Sequence, residues 1–199
     1  MNYSDELSVI WITPMRTATR TCGELQKIYN FDVSSHHGNN IPKNKSNYTL
    51  IFNIRNPYSR LVSLFRIFLH HTKEYSVKFE PWVKMVTDKD FKSNSSLMGY
   101  DFFLDKIING LDKKPDYYVR VEFLEQDLKN LPFVRDNISN LDEYFKTQIN
   151  YNGYENEFGD SNNWQSMYTQ ELADLIYSRR EEEFKLFNYN KDYWKDGTP

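Results

Sequence analysis

Apolar positions along the chain fall into two periodicities. Residues 7–13 and 48–54 are near-continuous apolar runs, the pattern of strands buried on both faces. Residues 31–34 and 117–121 are shorter runs of the same kind. Between these runs the spacing becomes helical. A helix is predicted over 20–29, and Leu61, Leu64, Phe65 and Phe68 form a stripe behind Pro57, which suits the first position of a helix. Further helices are predicted over 81–87, 100–108, 122–130 and 169–187, the last with Leu172, Ile176 and Phe184 on its apolar side. Residues 35–45 and 150–163 are polar and rich in Asn and Gly, and are predicted as loops. Strands alternating with helices predict an α/β fold, a three-layer sandwich with a central parallel sheet. In such sheets ligands bind beyond the carboxyl ends of the strands.

Composition narrows the picture. At 199 residues the chain suits a single domain spanning 1–199. Aromatic residues make up 17%, so the core should be rich in Phe and Tyr. A net charge of −3 argues against nucleic-acid binding by bulk electrostatics, so any anion site must be local. The single cysteine, Cys22, allows neither an intrachain disulfide nor a cysteine-based metal site. The acidic first residues lack the basic region of a signal peptide. No apolar run approaches the ~20 residues of a membrane span. A cytoplasmic protein without a membrane partner is therefore expected.

Two basic motifs lie at predicted strand ends. The first is Pro14-Met15-Arg16-Thr17-Ala18-Thr19-Arg20-Thr21, directly after the first strong strand. A strand feeding a hydroxyl-rich turn and then a helix is a physical recipe for an anion site. The first helical N–H groups lack partners and the dipole is positive there. Two arginines at that spot suit phosphate or sulfate. The plainer alternative is a Thr-capped helix with surface arginines. The Walker A loop does not fit, because no glycine precedes Gly23 and no Gly-Lys-Ser/Thr ending is present. The second motif is Arg55-Asn56-Pro57-Tyr58-Ser59-Arg60-Leu61-Val62-Ser63. Arg55 ends a strand, and its fork can clamp a second phosphate to which the Ser63 hydroxyl can donate.

Together these motifs resemble the sulfotransferases that use 3′-phosphoadenosine 5′-phosphosulfate. Their first donor loop reads roughly Pro-x-Lys/Arg-x-Gly-Thr/Ser-Thr. Arg16 falls on the basic position and Thr19 on the first hydroxyl. Ala18 replaces the usual Gly, and Arg20 stands where a second hydroxyl often stands, with Thr21 as a substitute. The family's 3′-phosphate loop reads Arg-x-Pro-x-x-Arg-x-x-Ser, matched by Arg55, Pro57, Arg60 and Ser63. Tyr118-Val119-Arg120-Val121-Glu122 and the segment from Tyr168 to Tyr189 also resemble the family, as packing patterns. The resemblance implies a P-loop NTPase-like sulfotransferase fold without a metal. It implies a donor site from Arg16, Thr17, Ala18, Thr19, Arg20, Thr21, Arg55 and Ser63. It implies a small-molecule or glycan acceptor.

Sulfuryl transfer needs positioning and charge stabilisation, as phosphoryl transfer does. On the resemblance, Arg16 stabilises charge on the bridging oxygen; an arginine cannot serve as a base. An acceptor hydroxyl needs one, and histidine suits neutral pH. His36 and His37 lie in the loop after the second strand and between the two donor motifs, the interval in which several family members place a catalytic histidine; neighbouring Gly38 favours His37. His70 and His71 suit a helix C-terminus instead. Glu24 and Glu122 are fallback bases. Lys43 and Lys45 are solvated loop charges or steer an anionic donor. Trp164 anchors the last helix or stacks on adenine. The competing functions are a P-loop kinase-like phosphotransferase and a non-catalytic nucleotide-binding protein of the same fold.

Overall fold

The computed structural model describes residues 2–33, 41–88, 104–135 and 161–197. The chain forms two compact units, Met1–Arg55 with Lys106–Tyr151, and Asn56–Asp105 with Asn152–Pro199.

The first unit is an α/β unit built on one five-stranded sheet. Its strands are β1 (Asn2–Ser4), β2 (Val9–Ile12), β3 (Asp32–Val33), β4 (Thr49–Ile54) and β5 (Tyr117–Arg120), in the order β3-β1-β2-β4-β5. β2 pairs parallel with β4, Ile12 opposite Phe52, and β4 pairs parallel with β5, Ile54 opposite Arg120. β1 is antiparallel to both β2 and β3. Four strands therefore share one direction and β1 alone runs against them. This corrects the expected all-parallel sheet. The cause is a tight turn, with Ser8 at φ 53° and its N–H donating to the Asp5 carbonyl, which folds the first residues back beside β2. Asn2, buried in β1, donates to the equally buried Gln26. Polar residues at a chain start gave no hydrophobic signal for that strand.

The apolar runs are buried on both faces, as their continuity predicts. On one face Val9, Trp11, Ile51 and Val119 pack with Cys22 and Leu25 of α1 (Thr19–Ile28). Leu128 of α5 (Leu124–Lys129) and Val134 of α6 (Pro132–Arg135) complete that cluster. Ile10, Ile12, Leu50 and Phe52 point the other way and are at most 1% exposed. Each such side chain contributes about 1.5–3 kcal/mol of burial. The helix predicted over 122–130 begins instead as a 3-10 turn, Val121–Phe123. Asp127 explains the tight start, since it accepts from the Arg120 N–H, Nε and Nη2 at 2.8, 2.8 and 2.7 Å.

The second unit is helical. It holds α2 (Pro57–Thr72), α3 (Phe79–Val86), a 3-10 segment Ser161–Met167, α7 (Gln170–Phe187) and α8 (Tyr193–Asp196); a further helix, α4 (Leu104–Asn109), belongs partly to each stretch. Pro57 opens α2 and Asn56 caps it, Oδ1 accepting from the Tyr58 N–H at 2.9 Å. Phe65 meets Phe79 and Trp82 at 5.3 and 5.2 Å between ring centres. The Tyr58 hydroxyl donates to the Lys191 carbonyl at 2.9 Å, and the Tyr168 hydroxyl donates to the Tyr58 carbonyl at 2.8 Å. The aromatic core expected from composition is present here. The predicted loop 150–163 is helical where it is described, from Ser161 on; 150–160 lie outside the described residues.

Candidate anion-binding site

β2 and β4 end side by side, and the first motif leaves β2 there. The loop reverses through two left-handed residues, Arg16 at φ 65° and Ala18 at φ 61°. Pro14 makes the reversal local. Its carbonyl accepts from the Thr17 N–H at 3.2 Å, the Thr17 hydroxyl at 2.6 Å and the Thr19 hydroxyl at 3.0 Å. A hydroxyl has one proton to give, so in this loop Thr17 and Thr19 spend theirs on folding the turn. What they leave for an anion is backbone N–H and arginine.

Ala18 is the N-cap of α1, whose first turn is Thr19, Arg20 and Thr21. No side chain caps that turn and no acidic residue lies in it. A helix start of this kind carries positive partial charge. Arg16 and Thr21 are half-buried and Arg20 is exposed. Arg55, one residue beyond β4, is half-buried and its Nη1 donates to the Arg16 carbonyl at 3.3 Å. The predicted residues Arg16, Thr17, Ala18, Thr19, Arg20, Thr21 and Arg55 thus form one cluster at the carboxyl ends of β2 and β4. Ala18 sits in a left-handed conformation that glycine adopts without cost.

Beneath the loop lies Asn53, fully buried in β4. Its Oδ1 accepts from Trp11 Nε1 at 2.8 Å. Its Nδ2 donates to the Thr17 carbonyl at 2.7 Å and to Cys22 Sγ at 3.0 Å. Asn53 was not singled out from the sequence. The available signal was an amide inside an apolar run, which demands buried partners. Cys22 is inert as a nucleophile, because burial pushes its thiol up to about 12. Arg120, opposite Ile54, is held by Asp127 and lies 4.4 Å from the Phe123 ring centre, so its guanidinium serves the fold.

In the second unit Arg60 and Ser63 lie on α2 and are buried, at 2% and 7% exposure. His36 and His37 lie outside the described residues. Glu24 is exposed and pairs with Lys27 at 2.7 Å, and Glu122 is half-buried in the 3-10 turn. His70 and His71 occupy the last turn of α2, their ring centres 5.4 Å apart. Lys45 is neither a solvated nor a steering charge. It is buried, pairs with Asp5, and its Nζ lies 4.1 and 4.9 Å from the ring centres of Tyr3 and Tyr48. Lys43 is exposed. Trp164 packs on Tyr193 and Tyr168 at 5.4 and 6.0 Å, which supports its anchoring role. Among the described residues there is no group of three His, Cys, Asp or Glu side chains able to hold a metal, and no helix long and apolar enough to cross a membrane. No protein-family model, curated protein or solved structure matches the chain.

Proposed function

We propose that this chain is a sulfotransferase of the three-layer, P-loop-like class. It moves a sulfuryl group from 3′-phosphoadenosine 5′-phosphosulfate to a hydroxyl or amine of a small-molecule or glycan acceptor. The observation that carries the reading is the Arg16–Thr21 loop, which turns through two left-handed residues into an uncapped helix start with Arg55 on its carbonyl. Backbone N–H groups from Ala18 to Thr21 bind the 5′-phosphate. Arg16 stabilises the negative charge that grows on the bridging oxygen. Arg55, with Ser63 assigned by the motif alone, reads the 3′-phosphate. The acceptor oxygen attacks sulfur in line, the bond from sulfur to the bridging oxygen breaks, and the acceptor proton passes to a base, for which His37 and His36 remain the sequence candidates.

The test is calorimetry. Adenosine 3′,5′-bisphosphate should bind more tightly than AMP or ATP, and Arg55→Ala should cost about 1.5–3 kcal/mol of that binding. Equal affinity for AMP would remove the argument from the second motif. Mass spectrometry of an acceptor library incubated with labelled donor then identifies the acceptor. Donor binding without any transfer would make this a non-catalytic nucleotide-binding protein, and strict Mg²⁺ dependence would favour a phosphotransferase.

A further inference from the structure

We infer that Asn53 is a positioning residue for the anion loop, and that it is what allows an alanine to occupy position 18. The inference rests on the reading of that loop as an anion site. A trans peptide is planar, with its C=O and N–H pointing in opposite directions. The Thr17 carbonyl points into the core at Asn53 Nδ2, 2.7 Å away. The N–H of the same peptide unit, that of Ala18, therefore points away from the core, on the side from which an anion approaches. Turned over, this peptide would present a carbonyl oxygen to the anion and repel it.

Ala18 by itself favours the wrong orientation. Its φ of 61° is the left-handed conformation, unfavourable for any residue with a Cβ. A flip of the Thr17–Ala18 peptide would return φ to the negative range and relieve that strain. Glycine at this position would feel no such pull. The buried amide opposes it. Asn53 is itself fixed, because Trp11 Nε1 donates to its oxygen at 2.8 Å and its second donor contact is Cys22 Sγ at 3.0 Å. A flipped Thr17 carbonyl would leave a buried donor short of an acceptor, a cost comparable to the strain released. The departure from glycine at position 18 and the polar residue at position 53 are thus two halves of one device.

The experiment titrates the full chain with adenosine 3′,5′-bisphosphate and, separately, inorganic pyrophosphate, with circular dichroism as the folding control. Asn53→Leu should weaken binding of both anions about tenfold. Adding Ala18→Gly to Asn53→Leu should recover part of that loss, read as a double-mutant cycle against Ala18→Gly alone; a role confined to core packing predicts no such rescue. Asn53→Asp keeps the acceptor for Trp11 but sets a carboxylate against the Thr17 carbonyl. It should bind weakly at pH 8 and gain affinity relative to wild type on acidification, because the protonated acid can donate. Folded Asn53→Leu binding both anions within twofold of wild type would overturn the assignment, as would absence of the glycine rescue. If Asn53→Leu does not fold, an Asn53→Asp variant whose binding follows the wild-type pH profile would overturn it, and failure of both variants to fold would reduce Asn53 to a core residue. Wild type that binds pyrophosphate as tightly as the bisphosphate would refute the donor reading alone, with the variants still deciding the role of Asn53. Wild type that binds neither anion would refute both.

Discussion

Under the proposed function, Arg16 and Arg55 give different tasks to chemically identical side chains. Arg55 lies beyond a buried strand and touches the loop backbone, so it suits ground-state binding. Arg16 lies in the loop itself, and in the proposed transfer its charge matters most when the bridging oxygen becomes anionic. Arg16→Ala should therefore lower turnover far more than donor affinity, as measured by steady-state kinetics beside calorimetry; a raised donor Michaelis constant with turnover intact would make Arg16 a binding residue only. Cys22 offers a second test at this scale. Its folded value of about 12, raised by burial, exceeds the ordinary ~8.5 of an unfolded thiol. Above about pH 8.5 the unfolded chain releases this proton and the folded chain keeps it. Stability is then complete below pH 8.5 and falls as pH rises toward 12, by up to about 1.4 kcal/mol per pH unit from this group. Denaturant melts between pH 8.5 and 10 should show the decline, and Cys22→Ala should flatten it.

At the scale of elements, α7 combines a favourable start with an internal break. Thr169 caps it, Oγ1 accepting from the Leu172 N–H at 3.2 Å. Arg180 leaves helical geometry, at φ −125° and ψ 17°, yet the helix continues to Phe187. Arg180 and Glu183, three residues apart, pair at 3.0 Å with side-chain exposures of 9% and 2%. Removing one partner of a buried pair leaves the other charge buried without it. Glu183→Ala should therefore cost about 3–5 kcal/mol in a urea melt. Replacing both by apolar residues of similar size should cost far less, because no charge is then left buried. A small loss from Glu183→Ala would show that the pair is effectively solvated.

For the whole molecule, the connectivity sets how the chain can be divided. Each compact unit takes one stretch from the first half of the sequence and one from the second. A fragment ending at residue 105 would keep β2 and β4 but lose β5 and with it Val119, Leu128, Leu131 and Val134 from the first core. It would keep α2 and α3 but lose α7. Neither half should unfold cooperatively alone, by calorimetry or by denaturant melts. A sharp, two-state transition in the 1–105 fragment would contradict this.

The sequence alone determined what depends on local chemistry. Continuous apolar runs placed β2 and β4, because a strand buried on both faces has no polar alternation to obscure it. Pro57 and Asn56 marked the start of α2, and Thr169 that of α7, because caps and the fixed proline φ act within one turn. The turn from β2 into α1 was legible in its proline and hydroxyls, and its arginines supply the charge that the proposed anion site needs. Tertiary structure alone decided the rest. β1 exists only because a turn at Ser8 delivers Asn2–Ser4 to an open strand edge, and no periodicity in three residues can announce that. Lys45 looked like a loop charge until Asp5 and Tyr3, distant in sequence, closed around it beside neighbouring Tyr48. The hydroxyls of Thr17 and Thr19 turned inward to Pro14, so the proposed anion site must rely on backbone and arginine. Asn53 gained its meaning from Trp11, Thr17 and Cys22, brought to it by strand pairing and helix packing. A buried amide is defined by its partners, and partners that lie 31 to 42 residues apart in the chain are fixed only when the fold is.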